Sequence, residues 1–249
     1  MINAFDVYKI IDEYAPFINM EDYDNSGVIY NSGKSTNRVL FALDITSETV
    51  NEAIKLGCGI LVSHHPVMFG GITKLRFSDP VAVAIRNDIS LVAAHTNYDK
   101  AKPGTSDILA QLLDITVDDD ICEGTGRVGY TKREFTSIEF INYVKDILNL
   151  KTVSAVAGTR DIRNVAIIAG SSGNISELYD ASIDAVITGE TKYFHAVEAS
   201  HNGTTLIVLG HFASENPGFM KLYDIVRKQV GEDVECIYSE VGEDPYSYY

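Results

Sequence analysis

The sequence has few cysteines, no tryptophan, and only short apolar stretches. The three cysteines, Cys58, Cys122 and Cys236, are far apart and form no Cys-x-x-Cys pair. Such an odd, scattered set argues against a disulfide framework and against sulfur as a metal ligand. No apolar run approaches the roughly 18 residues that a membrane span requires. The first residues lack the pattern of a secretory signal, so we expect a cytoplasmic protein with no membrane partner.

Basic residues are also scarce. The chain has 20 lysines and arginines against 35 aspartates and glutamates, which gives a net charge of −15. An acidic surface repels phosphate backbones, so non-specific nucleic-acid binding is not expected. A small anionic ligand would be repelled too, unless a local cation reversed the sign. The 249 residues, of which 45% are hydrophobic, suffice for one large domain or two small ones.

Short apolar runs alternate with amphipathic segments along most of the chain. Strands are predicted at 38–45, 59–65, 90–96, 152–158, 164–170, 184–190, 204–210 and 234–240. Helices are predicted at 4–14, 47–57, 78–89, 105–115, 136–149, 174–182, 191–201 and 217–230. Ser47 is the candidate N-cap of its helix and Gly57 the C-terminal stop, whereas 19–33 and 122–134 are predicted to be turn-rich.

Uninterrupted apolar strands followed by helices are typical of a buried parallel sheet. The pattern therefore predicts an α/β protein with two interlinked lobes. Each lobe would have a largely parallel or mixed central sheet flanked by helices. We place the first lobe at residues 1–125 and the second at 126–249, with the C-terminal part packing back on the first lobe.

Metal-binding residue types follow several of the predicted strands. His64 and His65 end one strand, and His95 ends the next, with Asp99 four residues later. In the second half Glu190 ends a predicted strand. His211 follows the next predicted strand, and Glu215 comes four residues later. Ligands in open α/β sheets bind beyond the carboxyl ends of the strands. Histidine and carboxylate without cysteine suit zinc, iron, manganese or a similar divalent ion, and this number of ligands suits two ions with a bridging carboxylate.

Other features allow both a functional and a structural interpretation. The segment "AGSSGN" (169–174) could hold a phosphate with its backbone amides, but a tight strand-to-helix turn explains it as well. Asp24 and Asn25 could reach the metal site or form an Asx turn. His195 and His201 fall on a predicted helix, and we expect His195 to contribute little to metal binding.

Six segments together resemble the Nif-three-like family of dinuclear-metal proteins, also called the GTP cyclohydrolase I type 2 family. They occur in family order: "YDNSGV" (23–28), "ALDIT" (42–46), "LVSHHP" (61–66), "AAHTNYD" (93–99), "AVITGE" (185–190) and "GHFASE" (210–215). Tyr23 stands where a tryptophan is common. The length is similar to that of the short family members, which lack an inserted middle domain.

The resemblance implies two interlinked α/β lobes and a toroidal homohexamer with metal pairs facing an inner cavity. It also implies a ligand set of five residues. His65 and Asp99 would bind one metal, His64 and His211 the other, and Glu215 would bridge them. His95 would lie close by, as an additional ligand or as a base.

The function expected from these residues is a dinuclear metal-dependent hydrolase. Two divalent ions per subunit would activate a water, and His95 or Glu190 would move its proton as general base or acid. The resemblance implies a nucleotide substrate, with opening of the purine ring of GTP, or a similar small anion. The alternative is a non-catalytic metal-binding protein with a regulatory or adaptor role.

Overall fold

Two β-sheets organise the chain in this computed structural model, which describes residues 1–67, 71, 74–180 and 182–247. Met1–Ala101 and Phe219–Glu243 form the first compact unit, and Lys102–Gly218 with residues 244–247 form the second. The α/β class predicted from the sequence is confirmed. The division expected after residue 125 falls inside the second unit, between two strands that pair with each other.

The sheet of the first unit is mostly parallel. Its strands are β1 (Gly27–Tyr30), β2 (Arg38–Ala42), β3 (Ile60–Ser63), β4 (Ser90–Ala93) and β11 (Glu235–Tyr238), in the order β1-β4-β3-β2-β11. Only β1, at one edge, is antiparallel to its neighbour. Leu40, Leu61 and Leu91 come from three adjacent strands and are fully buried in the core. The carboxyl ends of β2, β3 and β4 therefore meet at one edge.

Helix α1 (Ala4–Tyr14) precedes these strands, and α2 (Ser47–Leu56), α3 (Pro80–Arg86) and the short α4 (Thr96–Asp99) lie between them in the sequence. The N-cap of α2 is Thr46, one residue before the predicted Ser47, because the Thr46 side chain accepts the Thr49 amide. Gly57 ends α2 in a left-handed conformation, with φ 69°. That conformation favours glycine and confirms the predicted stop.

The sheet of the second unit is mixed. Its strands are β5 (Ile115–Ile121), β6 (Gly126–Phe135), β7 (Ser154–Val156), β8 (Ile162–Ser171), β9 (Ala185–Glu190) and β10 (Thr205–Val208), in the order β5-β6-β8-β9-β10-β7. Strands β8, β9 and β10 are parallel, and the other pairs are antiparallel. The prediction of a turn-rich segment at 122–134 was wrong, since most of it forms β6.

The helices of the second unit begin with α5 (Thr105–Leu112), α6 (Ser137–Ile147), α7 (Ser176–Asp180) and α8 (Tyr193–Asn202). Residue 181, in the predicted helix 174–182, lies outside the described residues. The last helix, α9 (His211–Gln229), begins six residues before the predicted start and contains Pro217 in its interior. Among the described residues, no helix has both the length and the apolar character of a membrane span.

Candidate metal centre

The backbone after β3 is held in one position. The amides of His64 and His65 both donate to the carbonyl oxygen of Leu43, each at 3.1 Å. The Ser63 hydroxyl donates to the carbonyl oxygen of His65 at 2.8 Å. Since Leu43 follows the neighbouring strand β2, these bonds fix both imidazoles at the carboxyl edge of the sheet.

The ring of His64 is fully buried. Its Nδ1 lies 2.8 Å from the carbonyl oxygen of Ala94, which can only accept a hydrogen bond, so Nδ1 carries the proton. In the neutral ring Nε2 then keeps its lone pair, and it lies 3.6 Å from Oδ1 of Asp99. Two electron-rich atoms therefore face each other, an arrangement that a cation between them would stabilise.

The ring of His65 is oriented by a carboxylate. Its Nδ1 lies 2.8 Å from Oδ1 of Asp44, a residue that follows β2. An ionised carboxylate accepts, so Nδ1 donates and Nε2 keeps the lone pair. Carboxylate–histidine pairs of this kind set the tautomer and ring orientation of metal ligands. Asp44 thereby prepares His65 to bind a metal through Nε2.

A buried aspartate lies beside His95. Oδ2 of Asp24 is 3.2 Å from Nδ1 of His95 and accepts hydrogen bonds from the Thr96 amide at 3.0 Å, the Thr96 hydroxyl and the Ser26 hydroxyl at 3.0 Å. Burial alone would raise the pKa of Asp24, but these contacts with His95 and Thr96 hold the pKa well below its usual range. The carboxylate therefore stays ionised beside the His95 ring.

These three histidines form one group. His64, His65 and His95 each offer a ring nitrogen within 4.8 Å of the others. Each ring has a carbonyl or carboxylate oxygen close to its Nδ1 atom. Three neutral imidazoles oriented in this way are a ligand set for a borderline divalent ion such as zinc or iron. We call these residues, together with Asp99, the histidine group.

A second group lies in the second unit, where His211 and Glu215 are in the first turns of α9. Because their spacing is four residues, both side chains lie on the same face of the helix. Nε2 of His211 is 3.0 Å from Oε2 of Glu215, and Nδ1 is 3.3 Å from Oε2 of Glu190. The Glu215 side chain is 95% buried, in contrast to the half-exposed Glu190. We call these three residues the glutamate group.

Gly170 and Gly189 have no side chain, and this leaves room for the side chains of Glu215 and Ser214. A methyl group at Gly170, near the end of β8, would overlap Oε1 of Glu215 and lie 3.5 Å from Nε2 of His211. A methyl group at Gly189, in β9, would overlap the Ser214 hydroxyl. That hydroxyl accepts the Gly170 amide at 2.9 Å and donates to the His211 carbonyl at 2.8 Å. The start of α9 is thereby held directly against the ends of β8 and β9.

Distances in both groups match those between ligands of one metal ion. Zinc–nitrogen and zinc–oxygen bonds are about 2.0–2.2 Å long, so two ligands of one ion lie about 3.0–3.5 Å apart at ordinary bond angles. The His211–Glu215 separation is 3.0 Å and the His64–Asp99 separation is 3.6 Å. The donor atoms are imidazole nitrogen and carboxylate oxygen throughout, so the residues fit divalent metal ions.

The predicted site residues all lie in these two groups. The structure adds two carboxylates beside the histidine rings, Asp44 at His65 and Asp24 at His95. Asp44 was noted only as the end of a strand, and its contact with His65 could not be inferred from sequence spacing. Asp24 lies 3.2 Å from Nδ1 of His95 and also accepts the Asn25 amide within its own turn, so both interpretations of that segment find a contact in the structure. Glu190, expected as an acid or base, contacts the ring of a proposed ligand. His195 belongs to neither group, since its Nδ1 lies 3.3 Å from Glu198.

Comparison with known proteins places these residues in a family. The family Duf34/NIF3 (NGG1p interacting factor 3) matches residues 2–245. A "GTP cyclohydrolase 1 type 2 homolog" of Clostridium perfringens is 32% identical over 98% of this chain and 98% of its own length. "NIF3-like protein 1" of Drosophila melanogaster is 29% identical over 96% of this chain and 87% of its own length.

A solved structure supports the same fold. The Staphylococcus aureus hypothetical protein SA1388 superposes with a TM-score of 0.86 at 24% identity, over 99% of this chain and 99% of that one. At 24% identity this structural similarity supports the fold and carries no conclusion about function.

Proposed function

The chain belongs to the Duf34/NIF3 family, and we propose that it is a dinuclear metal-dependent hydrolase that opens a ring of a nucleotide or of a similar small anion. GTP is the first substrate to test, because relatives carry the name GTP cyclohydrolase 1 type 2 homolog. The proposal includes two divalent ions per subunit and the toroidal homohexamer that the family resemblance implies. Light scattering of the purified protein tests the subunit number.

One observation carries the metal part of the proposal: the orientation of His64 and His65. Each ring donates its Nδ1 hydrogen to a fixed oxygen, at 2.8 Å in both cases, and so keeps a lone pair on Nε2. Histidines that only fill a core do not need two adjacent rings prepared in the same tautomer. Metal ligands do, because the second hydrogen bond sets the ring orientation and raises the basicity of the ligating nitrogen.

The geometry favours a ligand assignment that differs from the one implied by resemblance. Resemblance pairs Asp99 with His65, but Oδ1 of Asp99 lies 3.6 Å from Nε2 of His64. We therefore propose that His64 and Asp99 share one ion, and His65 and His211 remain proposed ligands of the pair. Glu215 keeps its proposed role as the bridging ligand.

Bound divalent ions would lower the pKa of a water toward neutrality and polarise the substrate. The chain's own residues prepare that chemistry. The Asp24 carboxylate lies 3.2 Å from Nδ1 of His95 and would stabilise a proton there, which would leave Nε2 to accept either a metal or a proton from water. Glu190 contacts Nδ1 of His211 at 3.3 Å and acts as a positioning residue for that ligand rather than as the acid or base.

Metal content and GTP turnover test the proposal together. Protein loaded with zinc, iron or manganese should contain about two ions per chain and convert GTP, and a chelator should abolish conversion. Restoring the metal should restore activity. Anomalous scattering from a crystal would identify the metal and count the ions. If metal-replete protein converts neither GTP nor a panel of cyclic amides and phosphoesters, the hydrolase proposal is wrong.

The non-catalytic alternative is the second candidate, because the family name refers to an interacting factor. It predicts that metal binds, that no substrate of the panel is turned over, and that a protein partner binds only the metal-loaded form. A pull-down with loaded and chelated protein separates the two candidates.

A further inference from the structure

A cleft in the second unit adjoins the glutamate group. Its volume is about 590 Å³, within the roughly 300–1,000 Å³ of small-molecule sites. Glu190 lies at its edge, and the same carboxylate contacts Nδ1 of His211. A ligand in the cleft would therefore reach toward a proposed metal ligand.

The position of the cleft in the sheet is that of a ligand site. Its walls come from the loops that follow β8 and β9, which are adjacent parallel strands. Ligands in α/β sheets bind beyond the carboxyl ends of such strands. Ser172 joins the two loops, because its amide donates to the carbonyl oxygen of Glu190 at 3.1 Å and its hydroxyl lies 3.1 Å from that of Thr191. The two walls are thus fixed relative to each other.

The charges of the cleft suit an anion. Lys192 is exposed and is the only lysine or arginine among the lining residues. Nearby carboxylates are engaged elsewhere: Glu190 contacts His211, and Glu198 accepts the Ser176 hydroxyl at 2.7 Å and contacts His195. In a chain of net charge −15, a cation whose neighbouring carboxylates already have partners is a local site of attraction for a phosphate.

The remaining lining residues supply hydrogen bonds and an apolar surface. The Asn174 side chain offers two amide hydrogens, while its oxygen accepts the Ser176 amide at 3.3 Å. Gly173 has φ 61° and open space where a side chain would begin. The ring of Phe194, 47% exposed, forms part of the wall. Polar groups beside an aromatic ring suit the phosphate and sugar of a nucleotide.

We propose that this cleft is the subsite for the phosphate-bearing part of the substrate, with Lys192 as its cationic contact. This inference rests on the proposed function, since it places the reacting end of the same molecule at the glutamate group. The cleft would then decide which anions enter an acidic protein. It would favour a nucleotide over the corresponding nucleoside.

The test measures binding separately from turnover. Dissociation constants for GTP, guanosine and inorganic triphosphate are measured by calorimetry on the protein as purified and after chelation. The variants are Lys192→Ala, Lys192→Arg and, as a matched loss of one positive charge, Lys151→Ala. Circular dichroism confirms that each variant is folded.

We expect Lys192→Ala to weaken GTP and triphosphate binding roughly 10-fold, because it removes a charge-assisted contact to phosphate. Lys192→Arg should recover most of the affinity, and guanosine binding should not change. Lys151→Ala should have less than about a twofold effect, since Lys151 is an exposed charge that does not line the cleft and is screened by salt. Equal effects of the two alanine variants, or no binding of GTP or triphosphate by the wild type, would overturn the subsite.

Turnover distinguishes this inference from the proposed function. If GTP binds in a Lys192-dependent way but is not converted, the subsite stands and the hydrolase proposal fails. If GTP is converted and Lys192→Ala leaves KM unchanged, the hydrolase proposal stands and the subsite fails.

Discussion

The Nδ1 atom of His65 lies 2.8 Å from Oδ1 of Asp44, and this contact joins the ends of two neighbouring strands. The carboxylate side chain is 45% exposed, yet it fixes the tautomer of a ring that is largely buried. An exposed aspartate beside a metal ligand is easily taken for a surface residue. The contact with Nδ1 indicates instead that Asp44 orients His65 in the proposed centre.

Removing this carboxylate should weaken metal binding without unfolding the protein. We expect Asp44→Ala to lower metal affinity about 10- to 100-fold, the usual cost of losing such an outer partner. Asp44→Asn, which can still accept a hydrogen bond through its amide oxygen, should lie between the wild type and Asp44→Ala. Competition with a chromophoric chelator measures the affinities.

The matched control is Asp146→Ala, which removes an exposed carboxylate from α6. It should leave metal affinity unchanged. Equal losses in Asp44→Ala and Asp146→Ala would mean that Asp44 acts only through the overall charge.

Glu215→Gln tests the bridging role that the family resemblance implies. A glutamine retains the size of the side chain but loses the charge that would hold two cations. We expect occupancy to fall from about two ions per chain toward none, because both ions would lose a ligand. Elemental analysis of protein purified in parallel measures the ratio, and loss of a single ion would rule out the bridge.

The control for this change is His195→Ala. The His195 ring is buried and contacts Glu198, and it belongs to neither proposed ligand group. Its removal should leave the metal-to-protein ratio unchanged, provided that circular dichroism shows a folded protein.

The strands that carry the histidine group were predictable because they are buried on both faces. Residues 60–63 and 90–93 are uninterrupted buried runs, so their type and approximate ends followed from the sequence. β5 was not predictable in the same way. Its residues 116–119 are exposed and include Asp118 and Asp119. The glycine-containing β6 is recognisable as a strand only through its pairing with β5 and β8.

The start of α9 shows a second limit of sequence patterns. The helix was predicted to start at Pro217, a residue type that is common in the first turn of a helix. In the structure the helix begins at His211, and Pro217 lies in its interior. The spacing of His211 and Glu215 was visible in the sequence, but their common helical face was not. The orienting contacts of Asp44 and Glu190 depend on tertiary structure, and no local pattern indicates them.

Alkaline pH should destabilise the protein through two buried thiols. Burial raises the pKa of Cys58 and of Cys236 to about 11 in the folded state. In the unfolded chain both thiols ionise near pH 9. Between these values the unfolded state releases protons that the folded state keeps, so the free energy of unfolding should fall as pH rises from about 9 to 11.

The expected loss is on the order of 2 kcal/mol for each thiol at the upper end of that range. Urea unfolding at pH 7.5, 9 and 10.5 measures it. Cys58→Ala and Cys236→Ala should each flatten the alkaline slope, whatever their effect at neutral pH. A slope unchanged in the double variant would show that other groups cause it.

Gly170→Ala should damage the proposed centre by steric overlap. The added methyl group would overlap Oε1 of Glu215, a carboxylate that is 95% buried and so has little room to move. Gly170 also has φ 68°, where an alanine costs roughly 1–2 kcal/mol. We expect at least about a tenfold loss of metal affinity together with a modest loss of stability.

Gly173→Ala separates these two effects. Gly173 has nearly the same backbone strain, with φ 61°, but a methyl group there meets no atom within 4 Å. Both variants should therefore lose the stability that the backbone strain costs, whereas only Gly170→Ala should also lose metal. Equal metal contents in the two variants, both folded, would show that Glu215 does not need its position against Gly170 to bind a metal, and the glutamate group would have to be reconsidered.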